Sequence, residues 1–168
     1  MNSPGRPARC ALLGLAMFVF NSAFAADVLR HKIPDSEFPI AMAVEVPAGT
    51  KLVFLSGAGP GIADKSAPAD SVAAYGNTLA QTVSTFESIA ANLKRLKLEM
   101  KDVVKMQVFL VGDPAKAGAI DFAGFMEGYR RYFGKAQPNL PARSTVKVAG
   151  PVNPGWLVEI EVTAAAPD

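Results

Sequence analysis

The sequence predicts an α+β fold in which helices pack on one face of a mixed sheet. Two kinds of hydrophobic pattern support this prediction. Apolar residues that recur every third or fourth position indicate two amphipathic helices, and short apolar or alternating runs indicate strands before, between and after them. The resulting order is strands, helix, strand, helix, strand, strand, which favours one layer of helices on one sheet.

The segment before the first helix contains three predicted strands, at residues 28–33, 42–46 and 51–56. The third strand, KLVFLS, ends at the run GAGPG (57–61), which predicts a turn. This run superficially resembles a phosphate-binding glycine loop, but Pro60 lacks an N–H donor and no Gly-Lys-Ser/Thr follows. A turn whose open backbone can contact a ligand is the better interpretation.

The first helix is predicted from about Ser71 to Leu96, because apolar residues recur along one side of it. These residues are Leu79, Val83, Phe86, Ala90 and Leu93. The next strand is predicted at Val103–Val111. Its alternation should place Lys105 and Gln107 on one face and, on the other, Val104, Met106, Val108 and Leu110.

A second helix is predicted to begin after Asp121, whose carboxylate can cap its first turn. Aromatic residues would lie along one side of this helix, at Phe122, Phe125, Tyr129 and Tyr132. Pro138 and Pro141 end the connection that follows. Two strand-like segments joined by a Pro/Gly-rich turn close the chain.

The first 25 residues predict a secretory signal peptide. Arg6 and Arg9 precede an apolar run at 11–20, and Ala23-Phe24-Ala25 has the small-residue spacing of a cleavage site. A membrane-spanning helix needs about 20 apolar residues, roughly twice the length of this run. We therefore expect cleavage after residue 25, a single domain at 26–168, and a periplasmic or secreted protein without a membrane segment. An uncleaved anchor is the alternative.

Removal of residues 1–25 also removes the formal net charge of +2. Arg6 and Arg9 are the only charged residues there, so the 17 basic residues of the chain fall to 15, equal to the 15 acidic ones. A neutral chain without a basic cluster gives no electrostatic reason to expect nucleic acid or anionic lipid as a partner. The apolar composition of 50% instead hints at surface hidden by self-association.

Few catalytic groups remain in the predicted mature domain. Cys10 is the only cysteine and precedes the cleavage site, which excludes disulfides and thiol nucleophiles. His31 is the only histidine, so a histidine-based metal site would have too few ligands. A surface position on an early strand is a better interpretation of His31 than catalysis. We expect neither a metal nor a cofactor.

The C-terminal segment holds the most informative side chains. Arg143 follows Pro141-Ala142, and Glu159 and Glu161 alternate onto one face of the last strand. A guanidinium binds a carboxylate through two parallel hydrogen bonds, and a nearby glutamate can activate water. Such groups suit a small substrate that carries a carboxylate. The alternative is a solvated hairpin in which Lys147 pairs with Glu159 and Arg143 is an exposed or interface arginine.

At these residues the chain resembles the RidA/YjgF family of enamine/imine deaminases. The match is strongest at PARS (141–144) and VEIE (158–161). It extends upstream through shorter matches at 55–57, 80–82, 102–105, 108–110 and 121–122, and at Tyr129 and Phe133. The resemblance therefore covers about residues 38–165.

The resemblance implies a chorismate-mutase-like homotrimer with ligand sites in the clefts between subunits. It implies that Arg143 holds the substrate carboxylate, that Glu159 positions or activates the attacking water, and that the backbone at Gly57 lines the pocket. Thr145 is expected beside Arg143 in the substrate site, and Glu161 is expected to be structural. An imine is already electrophilic, so orientation and one proton-handling group can suffice without a metal or cofactor.

The chain departs from the family at three positions around the expected substrate. Ala43 stands where a tyrosine is common, Met126 where an asparagine is common, and Thr145 where a cysteine is common. These differences change the wall of the pocket and leave the arginine and the glutamate in place. They favour an imino acid that is larger or more apolar than 2-iminobutanoate or 2-iminopropanoate.

Three functions follow from this comparison. The leading one is hydrolytic deamination of enamine/imine intermediates of amino acids to 2-oxo acids and ammonia. The alternative is a non-catalytic trimer that binds a small carboxylate in the same clefts. RNA cleavage or translation inhibition, attached to some relatives, is disfavoured by the neutral charge, the single remote histidine and the predicted export.

Overall fold

The computed structural model describes Met1, residues 27–135 and residues 137–166. Apart from Met1, the predicted signal peptide lies outside these residues. The described part of the chain contains β1 (Leu29–Lys32), β2 (Ala41–Glu45), β3 (Leu52–Ala58), α1 (Thr78–Arg95), β4 (Val103–Leu110), α2 (Phe122–Tyr129), β5 (Ala142–Lys147) and β6 (Val158–Ala165). The predicted α+β class and element order are confirmed.

The strands form one mixed sheet in the order β1-β2-β5-β4-β6-β3. β4 is parallel to β5 and antiparallel to β6, so it separates the two strands that the sequence suggested could form a hairpin. The register places Lys147 opposite Leu110 and Glu159 opposite Phe109, and the alternative of a Lys147–Glu159 pair is therefore wrong. Lys147 Nζ instead donates to the Gly118 carbonyl at 2.9 Å.

One face of the sheet packs against both helices. On β4, alternate residues are buried toward the helices while Lys105 and Gln107 are exposed on the other face, as the alternation predicts. The core of this layer includes Phe86, Ile89 and Leu93 of α1, Met106, Val108 and Leu110 of β4, Phe125 and Tyr129 of α2, and Ile160 and Val162 of β6. None of the helices in the described part of the chain has the length and apolar character needed to cross a membrane.

Both helices begin at a side-chain cap. Asn77 accepts from the backbone N–H of Ala80 at 3.0 Å, so α1 begins at Thr78 and the predicted start at Ser71 is wrong. The predicted helix was too long at its N-terminal end because residues 72–74 form a separate 3₁₀ turn, in which Ala74 is buried. The predicted cap of α2 is confirmed, because Asp121 accepts from Gly124 N at 3.1 Å.

A buried glutamine joins α1 to the start of β6. The Gln81 side chain donates to the carbonyls of Gly76 and Gly155, at 2.9 and 3.0 Å, and accepts from Leu157 N at 2.7 Å. Gln81 is completely buried, and a buried amide is stable only when it is hydrogen-bonded in this way. The backbone on both sides of Trp156 is thereby fixed relative to α1.

Candidate functional site

The Arg143 side chain extends from β5 onto a platform of aromatic rings. Its guanidinium carbon lies 4.3 Å from the ring centre of Tyr129, 5.1 Å from that of Phe125 and 5.5 Å from that of Phe38. Guanidinium groups stack favourably on aromatic faces, and the contact strengthens when water is excluded. The three rings therefore hold the plane of the guanidinium and leave only part of its edge for a ligand.

Two buried polar atoms of β5 have no hydrogen-bond partner among the described residues. They are Arg143 Nη1 and Thr145 Oγ1. Residues two apart on a strand share a face, so both atoms lie on the side of the helices. The other terminal nitrogen of Arg143, Nη2, donates to Met126 Sδ at 3.3 Å. A buried donor without an acceptor costs about 1–3 kcal/mol, so a carboxylate bound here would offset a real penalty.

Burial changes the ionisation of this cluster. Desolvation lowers the pKa of Arg143, and the neighbouring Tyr129 partly opposes that shift. Arginine still remains a cation at physiological pH. Desolvation raises the pKa of Tyr129 to about 12, again partly opposed by Arg143. The Tyr129 hydroxyl donates to the Pro39 carbonyl at 2.8 Å, which ties the platform to the segment before β2.

Glu159 and Gly57 meet at the other edge of the sheet. β3 is the edge strand beside β6, and its register shifts between Leu55 and Ala58. A Cβ atom on Gly57 would overlap Oε1 of Glu159, so the carboxylate lies directly over the Gly57 backbone. Only glycine leaves room for this approach. The strand continues through Gly57 to Ala58, which corrects the predicted end at Ser56.

Arg143 and Glu159 are on opposite faces of the sheet. Arg143 lies opposite Met106, a core residue, and contacts α2 on the helical face. Glu159 lies opposite Phe109, and its neighbours Val158 and Ile160 are completely buried under the helices. Alternation therefore directs Glu159 to the face without helices. One chain thus carries two half-sites: Arg143 with Thr145, and Glu159 with Gly57.

An open cleft of about 490 Å³ adjoins the second half-site. Its walls come from the end of β3 and the last turns of α1. The residues around it are Leu55 to Gly59, Ser88, Asn92, Arg95 and Leu96. The cleft includes Gly57 but neither Arg143 nor Glu159, so it does not join the two half-sites within one chain.

Two other residues singled out in the sequence, His31 and Ala43, lie on the first two strands. His31 lies on β1 and pairs with Glu45 at 2.6 Å, a partly exposed position as expected. Ala43 is exposed on β2. Across residues 27–135 and 137–166, no three His, Cys, Asp or Glu residues are grouped as a metal site would require.

Sequence reasoning did not identify the ring platform under Arg143. The spacing of Phe125 and Tyr129 indicated a buried helix face, and Phe38 had no pattern at all. The one available signal was Met126, which the family comparison placed near the substrate and which does contact Arg143. Trp156, whose ring rests on the Gly59 backbone, had no predicted role either.

A protein-family model and several solved structures are similar to this chain. The family model described as Endoribonuclease L-PSP matches residues 39–166. YyfB, a Rid-family protein of unknown function from Yersinia pestis, has a TM-score of 0.61 and 23% identity, over 83% of this chain and 98% of its own. A Thermotoga maritima structure whose name proposes an endoribonuclease has a TM-score of 0.53 and 29% identity, over 86% of this chain and 100% of its own.

A member of the YjgF family from Neisseria meningitidis shares the fold, with a TM-score of 0.52 and 21% identity over 86% of this chain and 99% of its own. None of the curated proteins matches the chain. The family match spans most of the sequence and the whole of the described sheet beyond β1, including both half-sites. The chain therefore belongs to the YjgF/RidA family, the family of the Endoribonuclease L-PSP model.

Proposed function

We propose that this protein hydrolyses imines of amino acids to 2-oxo acids and ammonia, at sites between the subunits of a homotrimer. One observation carries the proposal: Arg143 Nη1 and Thr145 Oγ1 are buried on the same face of β5 without partners in the described chain. A carboxylate supplies the acceptors that both atoms require. Family membership and the placement of Glu159 over Gly57 support the same assignment.

The chemistry needs only these side chains and water. Arg143 holds the carboxylate of the imino acid, and Thr145 donates a hydrogen bond to it. Glu159 accepts a proton from a water molecule whose oxygen adds to the imine carbon. Transfer of that proton to the imine nitrogen gives a carbinolamine. A second proton then moves from the new hydroxyl group to nitrogen through Glu159 as the C–N bond breaks, which releases ammonia and forms the C=O bond of the 2-oxo acid. Holding the reactants in place accounts for most of the expected rate increase.

A second subunit is part of the proposal because the two half-sites face away from each other. The face of the sheet without helices carries Leu52, Phe54 and Val146, which are 41%, 75% and 46% exposed in the single chain. Exposed apolar side chains gathered on one face are typical of an interaction surface. Association through this face would cover them and could bring Arg143 of one copy to Glu159 of the next.

The substrate is expected to have an apolar side chain. Met126 lies against Arg143 as a soft apolar group that still accepts a hydrogen bond, and it stands where the family commonly has asparagine. Ala43 removes the bulk of a tyrosine from β2. Thioethers adapt to irregular apolar ligands, so these replacements favour imines with larger apolar side chains.

The proposal is tested by the release of ammonia. Residues 26–168 are purified, and imino acids are generated in place by an amino-acid oxidase. We expect the wild-type protein to accelerate ammonia release, and Arg143→Ala to reduce kcat/KM about 100-fold by removing two charge-assisted hydrogen bonds. Arg131→Ala is the matched control, because Arg131 is exposed and pairs only with Glu127 in the described chain. Equal rates for wild type and Arg143→Ala across a broad imine panel would contradict the enzymatic function.

Binding without catalysis is the second candidate. The altered residues around Arg143 favour it, because a carboxylate clamp can persist where the rest of a catalytic pocket has changed. Isothermal titration calorimetry with 2-oxo acids distinguishes the two. Arg143-dependent binding in a protein that releases no ammonia from any imine would establish a binding trimer.

RNA cleavage is the remaining candidate, since the matching family model is named for an endoribonuclease. The neutral charge of the predicted mature chain disfavours RNA binding, and the single histidine is paired with Glu45 on β1 and β2. Export, expected from residues 1–25, would also separate the protein from mRNA. N-terminal sequencing of the protein recovered from the periplasm or medium tests that export, and residue 26 is the expected first residue.

A further inference from the structure

The Trp156 ring and the Glu159 carboxylate cover two glycines that are two residues apart, Gly59 and Gly57. A Cβ atom on Gly59 would be 2.5–2.6 Å from three carbons of the indole, so the ring rests directly on the Gly59 backbone. The Glu159 carboxylate rests on the Gly57 backbone, two residues earlier, in the same way. Residues two apart in a chain are separated by at most about 7 Å, so the indole and the Glu159 carboxylate contact neighbouring positions of one backbone segment.

The indole is held in this position by its neighbours. The Tyr75 ring meets it edge-on, with the ring centres 6.3 Å apart and the planes perpendicular. The Tyr75 hydroxyl is itself fixed, because it donates to the Ala69 carbonyl at 2.7 Å and lies 2.8 Å from Asn153 Nδ2. Trp156 N donates to the Asn153 carbonyl at 3.1 Å. A rigid aromatic side chain of this kind can bind a ligand at little cost in entropy.

Core packing alone does not account for this residue. Trp156 is only half-buried, yet its Nε1 atom is buried and has no hydrogen-bond partner in the described part of the chain. Buried indole N–H groups usually find an acceptor. The ring thus presents apolar surface next to the backbone under Glu159, together with a donor that has no acceptor in residues 27–135 and 137–166.

We infer that the Trp156 indole receives the side chain of the substrate and selects imines derived from aromatic amino acids. This inference rests on the proposed function of the half-site at Glu159 and names its substrate class. Offset or edge-on contact between aromatic rings adds to the gain from burial, so a phenyl or phenol side chain benefits more from this wall than a methyl group does. The apolar change at Met126 is consistent with the same class.

Binding can be followed without any catalysis, because Trp156 is the only tryptophan in the chain. Its emission is excited at the red edge of its absorption, where tyrosine does not contribute. We expect 3-phenyllactate to shift or quench this emission with saturation, whereas lactate leaves it unchanged at equal occupancy measured by calorimetry. Arg143→Ala should abolish the phenyllactate signal. Phenyllactate binding in the calorimeter without a change in emission would overturn the inference.

Kinetics give a second readout if imine hydrolysis is established. Trp156→Leu should lower the ratio of kcat/KM for the phenylalanine imine over the alanine imine about fivefold to tenfold, the size of one lost aromatic contact. Trp156→Phe should restore most of the ratio. Gly59→Ala keeps the indole but displaces it, and should lower the ratio as well. An equal loss for both imines would assign Trp156 a merely structural role and overturn the inference.

The two proposals fail in different ways. If the protein releases no ammonia but shows the ligand-dependent change in Trp156 emission, the enzymatic function is rejected. The contact between Trp156 and the ligand side chain is then retained. If the protein hydrolyses imines but Trp156→Leu, Trp156→Phe and Gly59→Ala leave the ratio of kcat/KM for the two imines unchanged, the enzymatic function is retained. The role of Trp156 in selecting the substrate is then rejected. Thermal unfolding of each variant confirms that the compared proteins are folded.

Discussion

Arg143 and Glu159 project from opposite faces of the same sheet, although their strands are separated only by β4. The β4 residues opposite them, Met106 and Phe109, are three positions apart, or about 10 Å along the strand. No side-chain rotation can bring two groups together through a packed sheet. A site that uses both side chains must therefore draw them from different copies of the chain.

Mixed oligomers should recover activity that neither parent has. Arg143→Ala and Glu159→Gln each remove one half of every proposed site. In a random equal mixture, half of the arginine sides and half of the glutamate sides are intact, so about one quarter of the sites are complete in a cyclic assembly. We expect about a quarter of the wild-type rate after the two variants are unfolded and refolded together. Mass spectrometry checks that mixed species form; inactive mixed species would contradict an inter-subunit site.

Thr145→Val should raise the stability of the folded protein and weaken the binding of a carboxylate ligand. The Thr145 hydroxyl is buried without a partner in the described chain, and valine has nearly the same shape. Removing such a group can stabilise the folded state by about 1 kcal/mol, while a ligand that uses the hydroxyl binds about threefold to tenfold more weakly. Urea unfolding and calorimetry with a 2-oxo acid measure the two effects. Weaker binding together with lower stability would indicate that the hydroxyl is satisfied in the apo protein.

Tyr129 should make the protein sensitive to alkali. Its folded pKa of about 12 lies above the ordinary value of 10, so the folded state retains a proton that the unfolded state loses between these values. This contribution is complete below pH 10 and is lost as the pH rises toward 12. We expect the unfolding free energy of the wild type to fall about 2 kcal/mol more over that interval than that of Tyr129→Phe. Equal slopes in chemical denaturation from pH 9 to 12 would show that this tyrosine is not the cause.

Gly57→Ala should impair catalysis by moving Glu159. The new methyl group would overlap the carboxylate oxygen, so the glutamate must rotate away from the strand. A misplaced catalytic group commonly costs about 100-fold in rate. Gly150→Ala is the matched control, because nothing lies within 4 Å of the corresponding Cβ position. Steady-state kinetics should show the loss chiefly in kcat; an effect confined to KM would argue against a role for Glu159 in the chemical step.

The sequence predicted most of the fold from local signals. The alternation on β4 and the cap at Asp121 depend on neighbouring residues, and both are found as expected. The start of α1 was missed because the apolar 3₁₀ turn at 72–74 continues the helical pattern beyond the Asn77 cap. The insertion of β4 between β5 and β6 is a long-range property that no local pattern encodes.

The site was only half predictable for a similar reason. Arg143 and Glu159 could be identified by their residue types and by the motifs around them. Their placement on opposite faces depends on the register of β5 and β6 against β4, which pairs Arg143 with Met106 and Glu159 with Phe109. The rings beneath Arg143 come from α2 and from Phe38, which lies more than 100 residues earlier in the sequence. Such contacts follow from tertiary packing and produce no periodic pattern in the sequence.

The buried amide of Gln81 links the first helix to the segment that carries the indole wall. A small rotation or translation of α1 would therefore be transmitted to Trp156 through these hydrogen bonds as the core residues of α1 shift. Residues along α1 that never touch a substrate could thus alter which side chains the site accepts. Directed evolution of substrate specificity in this protein can therefore also target α1, because substitutions there can change the position of the Trp156 ring.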